Sequence, residues 1–320
     1  MDLVRETLEA EHRLRGWVRE TPVEPSLALG QESGAEVHLK LENFQRTGSF
    51  KIRGAMNKLL TLTPEERAQG VVAASSGNHG AAVADGTSVL GIPGTIFVPE
   101  DASPTKVATI RSYGTEVRLE GADCVVAELR ARSYAEKTGR VYVSPYNDPV
   151  VVAGQGTVGL ELGNQLESID AVLVALGGGG LIAGIGGYLK SILPEIEIIA
   201  CSPEKSAVMH ASIEAGRILE LDSEPTLSDG TAGGVEPGAI TFDLCRTIVD
   251  RYVLVSEDEI ASAMRLIVNR HHMLIEGAAG VPVAALLKEK ASFAGKRVAV
   301  VLCGANISHE ILCRVLQNKS

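Results

Sequence analysis

Short runs rich in Val, Ile and Ala alternate with helical patterns along most of the chain: GVVAAS, GTIFVPE, EVRLE, RVYVSP, DAVLVALG, EIEIIACSP, YVLVSE and KRVAVVLCG. Strands that are apolar on both faces and separated by helix-length segments belong to parallel sheets covered by helices, hence an α/β fold. Eight strands in 320 residues, at about 150 residues per domain, point to two sheets in two domains. Ile52, Met56, Leu59 and Leu60, at i, i+4, i+7 and i+8, mark one face of a helix that ends before Pro64. Ile260, Met264, Ile267 and Val268 do the same within Glu257–Arg270. Pro225 to Thr241, with four glycines and two prolines, reads as an irregular loop that lines something.

Composition removes several classes of function. With 45% hydrophobic residues the chain has ample material for buried cores, which excludes disorder. Thirty basic against 40 acidic residues leave a formal charge of −10 and no basic run to follow a phosphate backbone, so no nucleic-acid partner is expected. Five cysteines, 124, 201, 245, 303 and 313, are widely spaced and form no CxxC, which fits a reducing cytoplasm better than a disulfide framework or a zinc site. The charged N-terminus does not read as a signal peptide. The uncharged stretch Ala171 to Leu189 contains seven glycines and reads as strand, turn and helix rather than a membrane span, so no membrane association is expected.

Four segments carry chemistry. Lys51 follows Thr47-Gly48-Ser49-Phe50 at the start of the first helix, where partial positive charge eases loss of its proton. That suits a Schiff-base lysine, although a solvated first-turn lysine is the ordinary case. Ser75, Ser76, Gly77, Asn78, His79 and Gly80 join a strand to an alanine-rich helix; free N–H groups with Ser and Asn side chains make a carboxylate cradle, and a capping turn would need only one of them. Gly177, Gly178, Gly179 and Gly180 lie between a buried strand and a helix, where converging N–H groups hold a phosphate. Gly178, Gly180 and Ala183, with Glu204 further on, also satisfy the GxGxxG/A dinucleotide pattern. Finally, a strand delivers Cys303-Gly304-Ala305-Asn306 at its carboxyl end, where a cysteine is more often a small buried apolar residue. Glu276 could face a site or cap the turn after it, Asp229 could be an Asx-turn residue, and the adjacent His271 and His272 point apart, which argues against joint metal ligation.

Taken together, Ser49-Phe50-Lys51 with Arg53-Gly54, the SSGNHG turn, the tetraglycine loop and the terminal CGAN resemble the fold-type II pyridoxal phosphate enzymes of the serine/threonine dehydratase and serine racemase group, over about residues 16–310. The resemblance implies a tryptophan synthase β-like fold, with a large cofactor domain of residues 1–68 and 148–320 and a small mobile domain of residues 69–147. It implies that Lys51 holds pyridoxal 5'-phosphate as a Schiff base and removes the substrate α-proton. Phe50 would pack beside the ring, Gly177 to Gly180 with Leu181 would hold the phosphate, and Asn78 would bond the ring hydroxyl. Ser75, Ser76, Asn78 and His79 would form the substrate-carboxylate loop, with Ser76 handling the proton on the face opposite Lys51. Cys303 stands where relatives have a serine facing the pyridine nitrogen; a thiol or hydroxyl leaves the ring mostly neutral and favours prompt β-elimination, whereas a thiolate would pair with a protonated ring.

The implied activity is dehydration and deamination of an L-3-hydroxy amino acid, threonine or serine by default, to a 2-oxo acid and ammonia. The loop Thr226 to Phe242 also resembles that of dehydratases of hydroxyectoine utilisation, so 3-hydroxyaspartate, phenylserine or a hydroxyectoine-derived substrate stays open. Racemisation is the rival within the group, and a nucleotide-binding oxidoreductase or a ligand sensor the rival outside it. Ser202 to Ala207 lacks the leading carboxylate through which racemases of the group bind a divalent cation, so no metal is expected there. Feedback control through a C-terminal regulatory domain is not expected, and the resemblance implies a homodimer.

Overall fold

The computed structural model describes residues 2–317. Ten strands form two sheets: β1 (Val23–Pro25), β2 (Glu36–Lys40), β3 (Val71–Ala74), β4 (Gly94–Val98), β5 (Glu116–Leu119), β6 (Val141–Tyr142), β7 (Ala171–Ala175), β8 (Glu197–Pro203), β9 (Arg251–Val255) and β10 (Arg297–Val301). The larger sheet runs β1-β2-β10-β7-β8-β9 and the smaller β5-β4-β3-β6. Every pairing is parallel except β1 with β2, which places helices on both faces, as the apolar strand runs require.

Eight of these strands are those expected; β1 and β2 are additions. β1 is three residues long and holds a proline. β2 alternates Glu36, His38 and Lys40 with Val37 and Leu39, so it lacks the continuous apolar run of its neighbours. The expected helices appear as Lys51–Leu60 and Glu257–His271. The loop from Pro225 is irregular as far as Ala239, and a helix begins at Ile240, two residues earlier than read.

Topology places the site. β10 enters between β2 and β7, and β3 lies between β4 and β6, so the chain reverses direction across each sheet at these strands, and ligands sit beyond strand ends at such points. β10 delivers Cys303, β7 the tetraglycine turn, and β3 the serine turn, all at carboxyl ends. Lys51–Leu60 spans the seam: it follows β2 of the large sheet, yet Ile52, Met56 and Leu59 pack into the core beneath the small sheet with Val71, Ala73 and Val83.

Candidate active site

Four helices begin around one cleft, those starting at Lys51, Asn78, Gly180 and Gly277, and none has a side-chain cap. Elsewhere Thr63/Glu66 and Ser256/Glu259 close full capping boxes, while the helices from Pro104, Val208 and Ile240 also start without a side-chain cap. Uncapped N–H groups carry partial positive charge and accept anions, so the cleft is prepared for more than one anionic group.

Lys51 lines this cleft with its Nζ donating to the Pro145 carbonyl (3.0 Å). Its amine is pushed down to about 8, chiefly by burial, with Cys303 and Glu276 partly opposing. The direction expected from the helix start is found, but desolvation is its leading cause. Phe50 lies alongside, its ring centroid 5.2 Å from the amine, and its N–H donates to the Cys303 carbonyl (3.1 Å), which stitches the lysine segment to the end of β10.

The tetraglycine turn is glycine for steric reasons. A Cβ on Gly178 would run into the Tyr146 ring, one on Gly177 would lie 2.8 Å from the Thr231 carbonyl, and Gly179 has φ +85°, a conformation other residues rarely take. The buried Thr241 hydroxyl, which has no partner among the described residues, belongs to a side chain beside Gly179. Leu181 is buried in the first turn of the following helix.

Around the serine turn, Ser75 Oγ accepts from the Gly77 N–H (3.1 Å) and Ser76 is half-buried. Asn78 points at the far wall: its Nδ2 donates to both oxygens of Glu276 (2.8 and 3.0 Å), and its Oδ1 accepts from Asn306 Nδ2 (2.6 Å). His79 turns away: the buried ring meets the Val143 carbonyl through Nε2 (2.8 Å), and burial, with Lys51 adding to it, pushes its pKa to about 3. A neutral ring so engaged leaves only the His79 backbone to the turn. Cys303 is buried, and burial reinforced by Glu276 holds its thiol well above the ordinary range, so its sulfur keeps the proton at neutral pH.

Glu276 is the cleft residue that sequence reasoning weighed but did not choose. A lone Glu before a glycine-rich helix looks like a cap, and nothing local signals that it reaches Asn78, 198 positions away. Glu204, the acidic residue of the dinucleotide pattern, stands at the surface facing Lys288 (3.5 Å) and outside the cleft. Ser202 and Ser206 are occupied by the Leu176 carbonyl (3.1 Å) and Ser223 (2.8 Å).

Comparison with known proteins adds the chemistry. The sequence pattern of the family described as "Pyridoxal-phosphate dependent enzyme" matches residues 14–304. The L-threonine ammonia-lyase of Thermotoga maritima is 44% identical over 308 residues, 96% of this chain and 76% of that protein. Among solved structures, the processed form of threonine deaminase isoform 2 from Solanum lycopersicum superposes with a TM-score of 0.94 at 32% identity, covering 99% of this chain and 94% of that one. Maize serine racemase superposes with a TM-score of 0.92 at 34% identity, covering 97% and 95%. A buried amine poised for an aldehyde, a glycine turn open to a phosphate and a match over nine-tenths of the chain agree: this chain belongs to the pyridoxal-phosphate dependent enzyme family.

Proposed function

We propose that this protein is an L-threonine ammonia-lyase that also takes serine: the β-hydroxyl is eliminated as water, water returns at Cα, and the products are a 2-oxo acid and ammonia. The residues present fit pyridoxal phosphate. Gly177 to Gly180 line the same cleft as Lys51, the helix from Gly180 starts uncapped, and the Lys51 amine is pushed down to about 8. When bound, the cofactor supplies an aldehyde carbon for amines to condense with and a conjugated ring that delocalises the electron pair left at Cα.

Lys51 is the covalent anchor and, once released, the base that takes the α-proton on Nζ. Gly177 to Gly180 and Leu181 would hold the phosphate, and Phe50 would flank the ring. Cys303, a protonated and weak donor, would face the pyridine nitrogen and leave it mostly neutral, which would favour prompt elimination. Ser75, Ser76, Asn78 and the His79 backbone receive the substrate carboxylate, and Asn78 has one further amide hydrogen for the ring hydroxyl. Residues 69–147 act as a unit that closes on the substrate and excludes water. The protein works as a cytoplasmic homodimer.

The observation that carries the reading is the low-pKa amine of Lys51 in the same cleft as the uncapped glycine turn. Purified protein should show a Schiff-base absorption band that borohydride bleaches, and Lys51→Ala should lose the band and lower kcat by at least about 10²–10⁴-fold. Release of 2-oxo acid across a panel of 3-hydroxy amino acids should be highest with L-threonine; a preference for 3-hydroxyaspartate or phenylserine would reassign the substrate. Racemisation is a second reading, favoured by the half-buried Ser76 in the serine turn, and appearance of D-serine would support it.

A further inference from the structure

Glu276 has no part in the proposed reaction, yet the serine turn and the loop after β10 meet at its carboxylate. The residue is 3% exposed and directly precedes the Gly277–Lys288 helix, with its N–H donating to the Gly304 carbonyl (3.0 Å). One carboxylate oxygen accepts from Asn78 Nδ2 (2.8 Å); the other accepts from the same amide (3.0 Å) and from the Asn306 N–H (3.0 Å). Asn306 Nδ2 also donates to the Thr47 carbonyl (2.9 Å), four residues before Lys51. Space for the carboxylate exists because its neighbours are glycines: a Cβ on Gly304 would lie 2.6 Å from Oε1, and one on Gly230 3.4 Å.

A buried carboxylate normally pairs with a cation. Glu276 instead spends its acceptors on neutral amides, one from the small-sheet side of the seam and one from the end of β10. Protonation on Oε1 would put an O–H where the Asn78 amide now donates, and would leave the bonds to the other oxygen without the full carboxylate charge, so the arrangement would be weakened. We propose that Glu276 is a positioning residue: its carboxylate locks the Asn78 amide and the Asn306 N–H into one arrangement across the seam, and so fixes the serine turn relative to Lys51. This rests on the functional reading above.

Burial pushes the Glu276 carboxyl up to about 7; Asn78 and the Asn306 backbone oppose it, and of the charged groups around it Asp229 raises it further while Lys106 lowers it. Lys51 and Cys303 face it from the other side of the cleft. Both protonation states are therefore accessible near neutrality, and the lock is strongest above about pH 7 and weakened below it.

The test compares the holoenzyme with Glu276→Gln and Glu276→Asp. In the wild type, kcat/KM for L-threonine should fall as pH drops through about 7. Glu276→Gln should keep the cofactor band, lose this acidic limb, and show about tenfold lower kcat/KM at neutral pH, mostly through KM, the cost of one lost hydrogen bond to a charged group. Glu276→Asp keeps the charge but is one methylene shorter, so it should keep the limb with a KM raised about threefold. A Glu276→Gln enzyme with the wild-type limb and wild-type KM overturns the proposal, as does a wild-type KM in Glu276→Asp, which decides if the Gln variant does not fold. Failure of the functional reading is distinguishable, because the wild type would then lack both the bleachable band and 2-oxo acid release at any pH.

Discussion

Lys51 must be uncharged to attack an aldehyde, and its burial supplies that condition near neutral pH. A free lysine would need a pH near 10.5, whereas Lys51 reaches half-neutralisation at about 8. Because the amine is protonated below that value, the rate at which apoprotein takes up pyridoxal phosphate should rise as pH increases through about 8 and then level off, as followed by growth of the Schiff-base band. Gly179→Ala should weaken cofactor binding and cost about 1–3 kcal/mol of stability, since its Cβ would lie 2.8 Å from Cys245 Sγ on a backbone at φ +85°. Thermal unfolding with and without cofactor separates the two effects. That Lys51, the glycines and Cys303 come together was legible in the sequence because each stands at an element boundary within a motif, and they line one cleft. The direction of a side chain was not: His79 shares a turn with Asn78, but one ring turns to Val143 while the other amide crosses to Glu276.

Elements reveal a second layer behind the lysine. Arg53, one helical step beyond Lys51, is wholly buried and donates to Glu42 through Nε and Nη2 (both 2.8 Å) and to Glu161 through Nη1 (2.6 Å) and Nη2 (2.8 Å); Lys40 Nζ reaches Glu161 as well (2.5 Å). Burial alone would raise the Glu42 carboxyl, but Arg53, with Lys40 and the Thr21 hydroxyl, outweighs it and holds it below the ordinary carboxylate range. Two cations and two carboxylates balance here with almost no water. Removing one strands the rest, so Glu161→Ala should lose about 3–5 kcal/mol, measured as a lower urea midpoint. The same network explains why β2 escaped sequence reading: Lys40 looks like a surface residue until Glu161, 121 positions on, is folded beside it. Helix approach is similarly hidden. A Cβ on Gly184 would lie 2.5 Å from the Val152 carbonyl and 2.6 Å from the Gly156 nitrogen, so Gly184→Ala should destabilise by about 1–3 kcal/mol.

At the scale of the whole molecule, polar contacts link the segment around the small sheet to the loop of residues 225–239 and the helix after it. Lys106 meets Asp229 (2.7 Å), Arg132 meets Glu236 (2.5 Å), and the Glu236 and Ile240 N–H groups donate to Tyr146 Oη and Asn147 Oδ1 (both 2.9 Å). Such partly exposed pairs contribute about 0–1 kcal/mol each to stability. Arg132→Ala should therefore leave the urea midpoint nearly unchanged, and, on the closure proposed above, should raise KM several-fold more than it lowers kcat. Two sheets were expected from the number of apolar runs alone; the seam was not, since it is built from charged residues that look like ordinary surface. The Lys51–Leu60 helix rides on one body and roots in the other, its apolar face sunk beneath the small sheet while Phe50, just before it, is tied to the end of β10. On the closure proposed for residues 69–147 it would work as a rocker arm: a tilt of the smaller body would also swing the amine, so capture and release of the anchor would share one mechanical stroke.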